Sequence, residues 1–415
     1  MKQVLILGGG TAGTMVANRL LRRLRVEADF WHVVVVDRDD RHLYQPGLLT
    51  VPFGLTTADS LVRSRRRYLE PGVELVLGDI EGVDPARSRV HLEDGRVLPY
   101  DYLVIASGTS PRPDQTPGMA GELWRRQVHD FYTLDGAVAL HRRLDRWMGG
   151  RIVVHVAEMP IKCPVAPLEF AFLLDDVLGR RGVRGDTELT FVTPLDGAFT
   201  QPVARDRLGG MLDARRIALR TDFVVDRVDG PRRALVSVDD REQPFDLLVT
   251  VPVNMGADFV ARSGLGDELG YVPVDPATLR SRAHPNIFAV GDATDAPTSK
   301  AGSVAHFEAE ALADNLVQYE RGRPMTHRYD GHANCFVESG SGKALLLDFG
   351  YEVEPLPGRY PVPGLGPLSL LAETRANHWA KAAMQPLYWN VLLRGRPLPV
   401  PSHAPRPPAA APALT

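Results

Sequence analysis

The run Val4-Leu5-Ile6-Leu7-Gly8-Gly9-Gly10-Thr11-Ala12-Gly13 constrains this chain more than any other segment. Four apolar residues read as a buried strand, a glycine cluster follows, and an apolar-periodic stretch through Leu21 reads as a helix. A second apolar run, Val33 to Val36, ends in Asp37. Together these make a βαβ unit in which Gly8, Gly10 and Gly13 stand at G-x-G-x-x-G spacing. A lone match of that kind is weak; its place in a βαβ unit, with an acidic residue at the end of the second strand, gives it weight. Missing side chains let the backbone approach a pyrophosphate where Thr11 and Ala12 open the helix, and Asp37 is expected to accept a ribose hydroxyl.

A second βαβ start follows the Pro-rich linker Pro111 to Pro117: strand Arg151 to Val156, a helix from Ala166 to Leu178, then strand Glu188 to Val192. Later strands are read at Leu235 to Val238 and Leu247 to Val253, and Ile287 to Val290 is expected to return to the first unit. Glu74 to Leu77, Arg89 to Leu92, Val97 to Pro99 and Tyr102 to Ile105 suggest antiparallel strands inserted beside the parallel sheet. The expected fold class is α/β, with two Rossmann-like dinucleotide-binding domains and a C-terminal amphipathic helical region. The expected boundaries are 1–111 with 286–327 for the first domain, 112–285 for the second and 328–398 for the C-terminal region. A Pro- and Ala-rich tail, 399–415, is expected to be disordered.

In the C-terminal region Leu371, Ala372, Ala376, Trp379, Ala383 and Leu387 fall on one helical stripe, with Glu373, Thr374, Asn377 and Lys381 opposite. Pro386 is expected to interrupt this helix. Beyond it, Tyr388 to Arg394 place aromatics beside an arginine, as at a membrane interface. Packing of the stripe against the protein's own core or a second subunit fits the pattern equally well.

Hydrophobic residues form 44% and charged residues 24% of the 415, the balance of a folded globular chain. Basic and acidic side chains number 48 and 51, so no global attraction to nucleic acid is expected. No apolar run is long enough to cross a bilayer, and the start reads as a first strand with no signal peptide before it. Cys163 and Cys335 are the only cysteines, too few for a disulfide scaffold. Each is a buried filler or a reactive thiol. No residue is assigned to a metal.

Tyr102-Leu103-Val104-Ile105-Ala106-Ser107-Gly108 resembles the strand that closes the FAD domain of two-dinucleotide-domain flavoproteins, and Ile287 to Ala293 resembles their second FAD signature. On that resemblance Ala106, Gly108 and Gly291 face the cofactor and Asp292 binds its ribityl chain. The second unit lacks a glycine motif: Ala157-Glu158-Met159-Pro160-Ile161-Lys162-Cys163-Pro164-Val165-Ala166-Pro167 stands there, which argues against a nicotinamide nucleotide. Cys163 is expected near a helix N-terminus, where the dipole favours a thiolate.

Taken with His42-Leu43-Tyr44-Gln45-Pro46-Gly47, Lys162 to Glu169, Lys300-Ala301-Gly302 and Asn377-His378-Trp379-Ala380-Lys381, the chain resembles the sulfide:quinone oxidoreductase family, close to the flavoprotein of flavocytochrome c sulfide dehydrogenase, over nearly its whole length. The resemblance implies FAD as cofactor, hydrosulfide as donor and a membrane quinone as acceptor. It also implies Cys163 and Cys335 as the sulfur-carrying pair, and peripheral, monotopic attachment to the cell membrane. Lys300 and Gly302 would stand at the flavin. Glu169 would relay protons or cap its helix, and His129, His306 and His332 receive no role. A third cysteine found in many members has no counterpart near Val128-His129, which makes covalent flavin attachment doubtful. A type II NADH:quinone dehydrogenase-like enzyme and a non-catalytic cysteine and flavin redox sensor are the alternatives, and homo-oligomer formation is left open.

Overall fold

The structure is a computed structural model that describes residues 2–24 and 31–404. Its first layer is a five-stranded parallel sheet in the order Ile287–Ala289, Tyr102–Ile105, Lys2–Leu7, Trp31–Asp37, Val73–Leu77. Lys2–Leu7 lies at the centre, pairing Val4 with Val33 on one side and with Tyr102 on the other. A strand covered on both faces needs an unbroken apolar run, and Val4 through Leu7 are completely buried. The helix Thr11–Arg23 crosses back over this sheet and packs against the helix Gly302–Glu320.

One expectation about strands is corrected. Val73–Leu77 and Tyr102–Ile105 run parallel within the main sheet, and only Ile80–Asp84, Arg89–Leu92 and Val97–Pro99 form the antiparallel insertion. Alternation in an edge strand reflects one exposed face and does not report direction. In the second unit, Ala234–Ser237 forms a small antiparallel sheet with Val225–Asp229 and Glu242–Pro244, and its Leu235 packs with Val153 and Leu248 of the second parallel sheet.

That second sheet runs Val128–His129, Leu247–Val251, Gly150–Val156, Thr187–Val192, Ala218–Arg220, all parallel. Its helix Ala166–Arg180 packs against the long strand Ala333–Gly340 of a third, four-stranded sheet that also contains Lys343–Phe349, Gly358–Tyr360 and Leu368–Leu370. This contact matters for function, because it presses the turn carrying Cys163 towards the strand carrying Cys335.

The C-terminal region departs most from expectation. Its helix begins only at Arg375, and Leu371 lies outside it with φ +55°. The apolar stripe of this helix faces outwards: Asn377 is wholly buried, bonding Ser369 and Ala372, while Trp379 is 70% exposed. Pro386 does not stop the helical run. A short turn Met384–Leu387 passes into a π-helical turn Tyr388–Leu392, and Asn390 Nδ2 donates to the Pro386 carbonyl at 2.8 Å. Tyr388, Trp389, Leu392 and Leu393 are buried in the protein's own core, not at a membrane interface. The expectation of a structureless tail is corrected up to residue 404: Ala404 is buried and its amide donates to Asp330. The rest of that tail, 405–415, lies outside the described residues.

Candidate active site

The glycine turn is built by necessity at two of its three positions. Gly8 has φ +102°, and a side chain there would sit 2.5 Å from the Ala106 carbonyl oxygen; at Gly13 it would sit 1.8 Å from the Gly8 carbonyl oxygen. Gly10 is different, since nothing of the protein lies within 4 Å of its missing side chain. The helix that follows has no side-chain cap and no acidic residue in its first turn, so its leading N–H groups are free for an anion. The helix Gly302–Glu320 begins in the same uncapped way, and Gly302 also faces open space.

Asp37 ends its strand as expected, but its carboxylate accepts from Gly9 N at 2.7 Å and pairs with the buried Arg65. Gly108 closes the Tyr102–Ile105 crossover with φ +66°, and the neighbouring Ser107 and Thr109 hydroxyls are buried without a hydrogen-bond partner among the described residues. Gly291, at φ +70°, leaves room for Ala12, and its amide donates to Glu308 Oε2 at 2.5 Å. Burial pushes the Asp292 carboxyl above the ordinary carboxylate range, while Lys300 and Lys162 pull it back. Open space at two glycines, two uncapped helix starts and unpartnered buried hydroxyls all fit an extended dinucleotide such as FAD.

Cys163 sits in the strand-to-helix turn with φ +49°, fixed on both sides of its peptide. Its amide donates to the Lys300 carbonyl at 2.6 Å, and its carbonyl accepts from Ala166 N at 2.9 Å and Tyr132 OH at 3.1 Å. Cys335 lies on the Ala333–Gly340 strand, with Ser299 Oγ 3.9 Å from its sulfur. Both are free thiols, and both feel the charges of Glu169 and Lys381. Cys335 is itself among the groups that push Cys163 up.

The expected low-pKa thiolate at Cys163 is corrected. Burial drives its thiol well above the usual range, with Glu169 adding to the effect, and burial pushes Cys335 up to about 12. The helix dipole acts over one turn and is outweighed by loss of solvation. Glu169 does not cap its helix: its Oε1 accepts from Glu338 N at 2.7 Å and from Lys381 Nζ. His378 Nδ1 lies 3.0 Å from Glu338, so a line of ionisable groups leads away from the thiols. Lys300 is buried, donating to the Thr294 carbonyl at 2.7 Å and lying 4.3 Å from the Tyr271 ring centroid.

Arg65, Lys162, Tyr132 and Ser299 were not legible as site residues. Arg65 stands in a run of three arginines that reads as a solvated surface, and only the fold buries it. In the turn that replaces a second glycine motif, Lys162 N donates to Asn254 Oδ1 and Cys163 N to Lys300. The amides that would wrap a second pyrophosphate are already used.

A family model described as pyridine nucleotide-disulphide oxidoreductase matches residues 2–311, and the chain belongs to that family of FAD-binding oxidoreductases. Among curated proteins it is similar to the mitochondrial sulfide:quinone oxidoreductase of Mus musculus, 26% identical over 400 residues that cover 95% of this chain and 86% of the relative. It is also similar to the corresponding protein of Schizosaccharomyces pombe, 28% identical over 377 residues, covering 85% and 82%. Among solved structures, the sulfide:quinone oxidoreductase from Aquifex aeolicus superposes with a TM-score of 0.77 at 21% identity, covering 95% of this chain and 92% of that one, and shows the shared fold.

Proposed function

We propose that this chain oxidises hydrosulfide to sulfane sulfur or polysulfide and passes the electrons through FAD to a membrane quinone. The observation that supports this reading is that the Cys163 amide is tied to the Lys300 carbonyl while Ser299, the residue before that lysine, lies 3.9 Å from the Cys335 sulfur, beside a dinucleotide fold. The names of the relatives at 26% and 28% identity support it.

In this reading Gly8, Gly10, Thr11, Ala12 and Gly13 hold the diphosphate. Asp37 takes a ribose hydroxyl with its remaining lone pairs, and Ala106, Gly108, Gly291, Asp292, Lys300 and Gly302 line the rest of the cofactor. The reacting form of the cysteine pair is a disulfide. Hydrosulfide attacks Cys163 Sγ, an S–S bond forms there, and Cys335 leaves as a thiolate. Reclosure of Cys335 onto the outer sulfur of the Cys163 persulfide gives a trisulfide and releases one proton and two electrons. FAD, when bound, supplies the two-electron store that links this step to a quinone. The proton released is the one on the outer persulfide sulfur, and Glu169 with Lys381 provides a route for it towards Glu338 and His378.

Anaerobic titration of the flavin-loaded protein separates the readings. Hydrosulfide is expected to bleach the flavin and NADH is not; bleaching by NADH alone would replace this proposal with the type II dehydrogenase.

Membrane attachment is assigned to a surface that keeps Trp379 of the helical stripe and adds the Pro361–Pro367 loop. Among the described residues no helix is long and apolar enough to cross a membrane. Leu365, Trp379 and Val362 are nevertheless 86%, 70% and 52% exposed, on the Pro361–Pro367 loop and the Arg375–Ala382 helix. Side chains of this kind in one region mark a surface for an apolar partner. Replacing Leu365 and Trp379 by serine together is expected to move the protein from the vesicle pellet to the supernatant in co-sedimentation, with flavin content unchanged. Full retention in the pellet would remove the assignment.

A further inference from the structure

The chain from Met384 to Arg396 is seated on the glycine turn and on the helix that follows it. Tyr388 OH lies 2.7 Å from Thr11 Oγ1 and 2.6 Å from His42 Nε2, and both Tyr388 and His42 are buried. Next to it, Trp389 packs on His42, Tyr44 and Tyr68, and the Arg63 guanidinium covers its ring at 4.6 Å. Farther along, Asn18 Nδ2 donates to the Leu393 carbonyl at 2.7 Å and Arg22 to the Gly395 carbonyl at 3.1 Å. The Thr11–Arg23 helix is therefore tied to the C-terminal segment at three residues along its length, Thr11, Asn18 and Arg22. The π-helical turn at Tyr388–Leu392 is what aims Tyr388 and Trp389 inwards together, a departure from α geometry that recurs at functional positions.

The three polar groups form a line. Burial and the nearby Arg65 charge push His42 down to about 3, so its ring is neutral and has a single N–H, for which the Gly9 carbonyl competes with Tyr388. Whichever nitrogen carries that proton, Tyr388 is held between His42 and Thr11, and Thr11 opens the uncapped helix directly after Gly10. A Thr11 side chain fixed from behind fixes where the first turn of this helix meets an anion.

We propose that Tyr388, acting through Thr11, is a positioning residue for the diphosphate of the bound dinucleotide, and that Met384–Arg396 is the clasp that retains the cofactor. The proposal rests on the FAD reading above. It differs in kind from a packing role, because a ring without its hydroxyl packs equally well.

The test uses full-length, flavin-loaded protein and follows FAD release on dilution by recovery of flavin fluorescence. Loss of one hydrogen bond that polarises a donor to a charged group is expected to make release about tenfold faster in Tyr388→Phe. Thr11→Val is expected to do the same, and the double variant to be no faster than the faster single one. The 31P resonances of the bound diphosphate are expected to move in Tyr388→Phe. Unchanged release and unchanged 31P resonances in Tyr388→Phe would overturn the clasp, as would additive effects in the double variant. If Tyr388→Phe does not accumulate folded, unchanged release from Thr11→Val overturns it alone. A wild-type chain that cannot take up flavin removes the reading underneath, whereas unchanged release from yellow protein removes only the clasp.

Discussion

Cys163→Ser and Cys335→Ser are each expected to lower the rate of anaerobic flavin bleaching by hydrosulfide by about three orders of magnitude, and the double variant to be little worse than either single one. Residues that act as a unit lose nearly the whole effect at the first removal. A serine oxygen neither forms a bridge with the partner sulfur nor carries a persulfide, so the cycle stops before electrons are released. Both substitutions are nearly isosteric. Cys335 is the more buried of the two and its sulfur already has a hydroxyl neighbour in Ser299, so the fold is expected to tolerate the change. The measurement is stopped-flow absorbance with flavin content checked first. Wild-type bleaching rates in both variants would leave the cysteines as structural fillers and move the reaction elsewhere.

The second large effect is one of stability. Glu169 is 3% exposed at its side chain and Lys381, its partner, 20%, so the pair bridges the Ala166–Arg180 helix and the C-terminal helix in a nearly dry place. Lys381→Met removes one charge and strands the other, which costs about 3 to 5 kcal/mol when a buried pair is broken in this way. Burial already holds the Glu169 carboxyl above its ordinary pKa, with Lys381 as the main opposing influence; without the lysine it rises further. A carboxyl raised on folding contributes stability that is full below the unfolded value, 4.5, and lost as pH rises through the folded one. The gap between wild type and Lys381→Met is therefore expected to be widest at neutral and alkaline pH and to narrow as the medium approaches the range where free carboxylates are protonated. Denaturant titrations at several pH values measure it. A gap that stays constant or widens in acid would show that the pair is not what Lys381 contributes.

Much of the architecture was legible because local pattern and tertiary placement agree. The run Val4–Leu7 is apolar on both faces and becomes the central strand; Gly8 and Gly13 are glycine because carbonyl oxygens occupy the space of a side chain. The absence of a second glycine motif was equally readable, and the turn holding Cys163 does spend its amides on Lys300 and Asn254. For the C-terminal helix the pattern left two placements of the apolar stripe open, and the structure turns it outwards. Periodicity shows that two faces differ and says nothing about which one turns inwards. Here the polar face is buried, because Asn377 and Lys381 find partners in Ser369 and Glu169, and Trp379 is left outside.

What the sequence determined by itself is the backbone plan: two βαβ starts, a pyrophosphate-sized gap at the first, and a cysteine where the second would have held a nucleotide. Those features are fixed by neighbours within a few residues, through steric freedom at glycine and apolar runs that must leave water. The tertiary structure alone decided which charges are buried, where Tyr388 points and how acidic the thiols are. Each of these depends on the desolvation and Coulomb field created by segments hundreds of positions apart, and no local pattern carries that information.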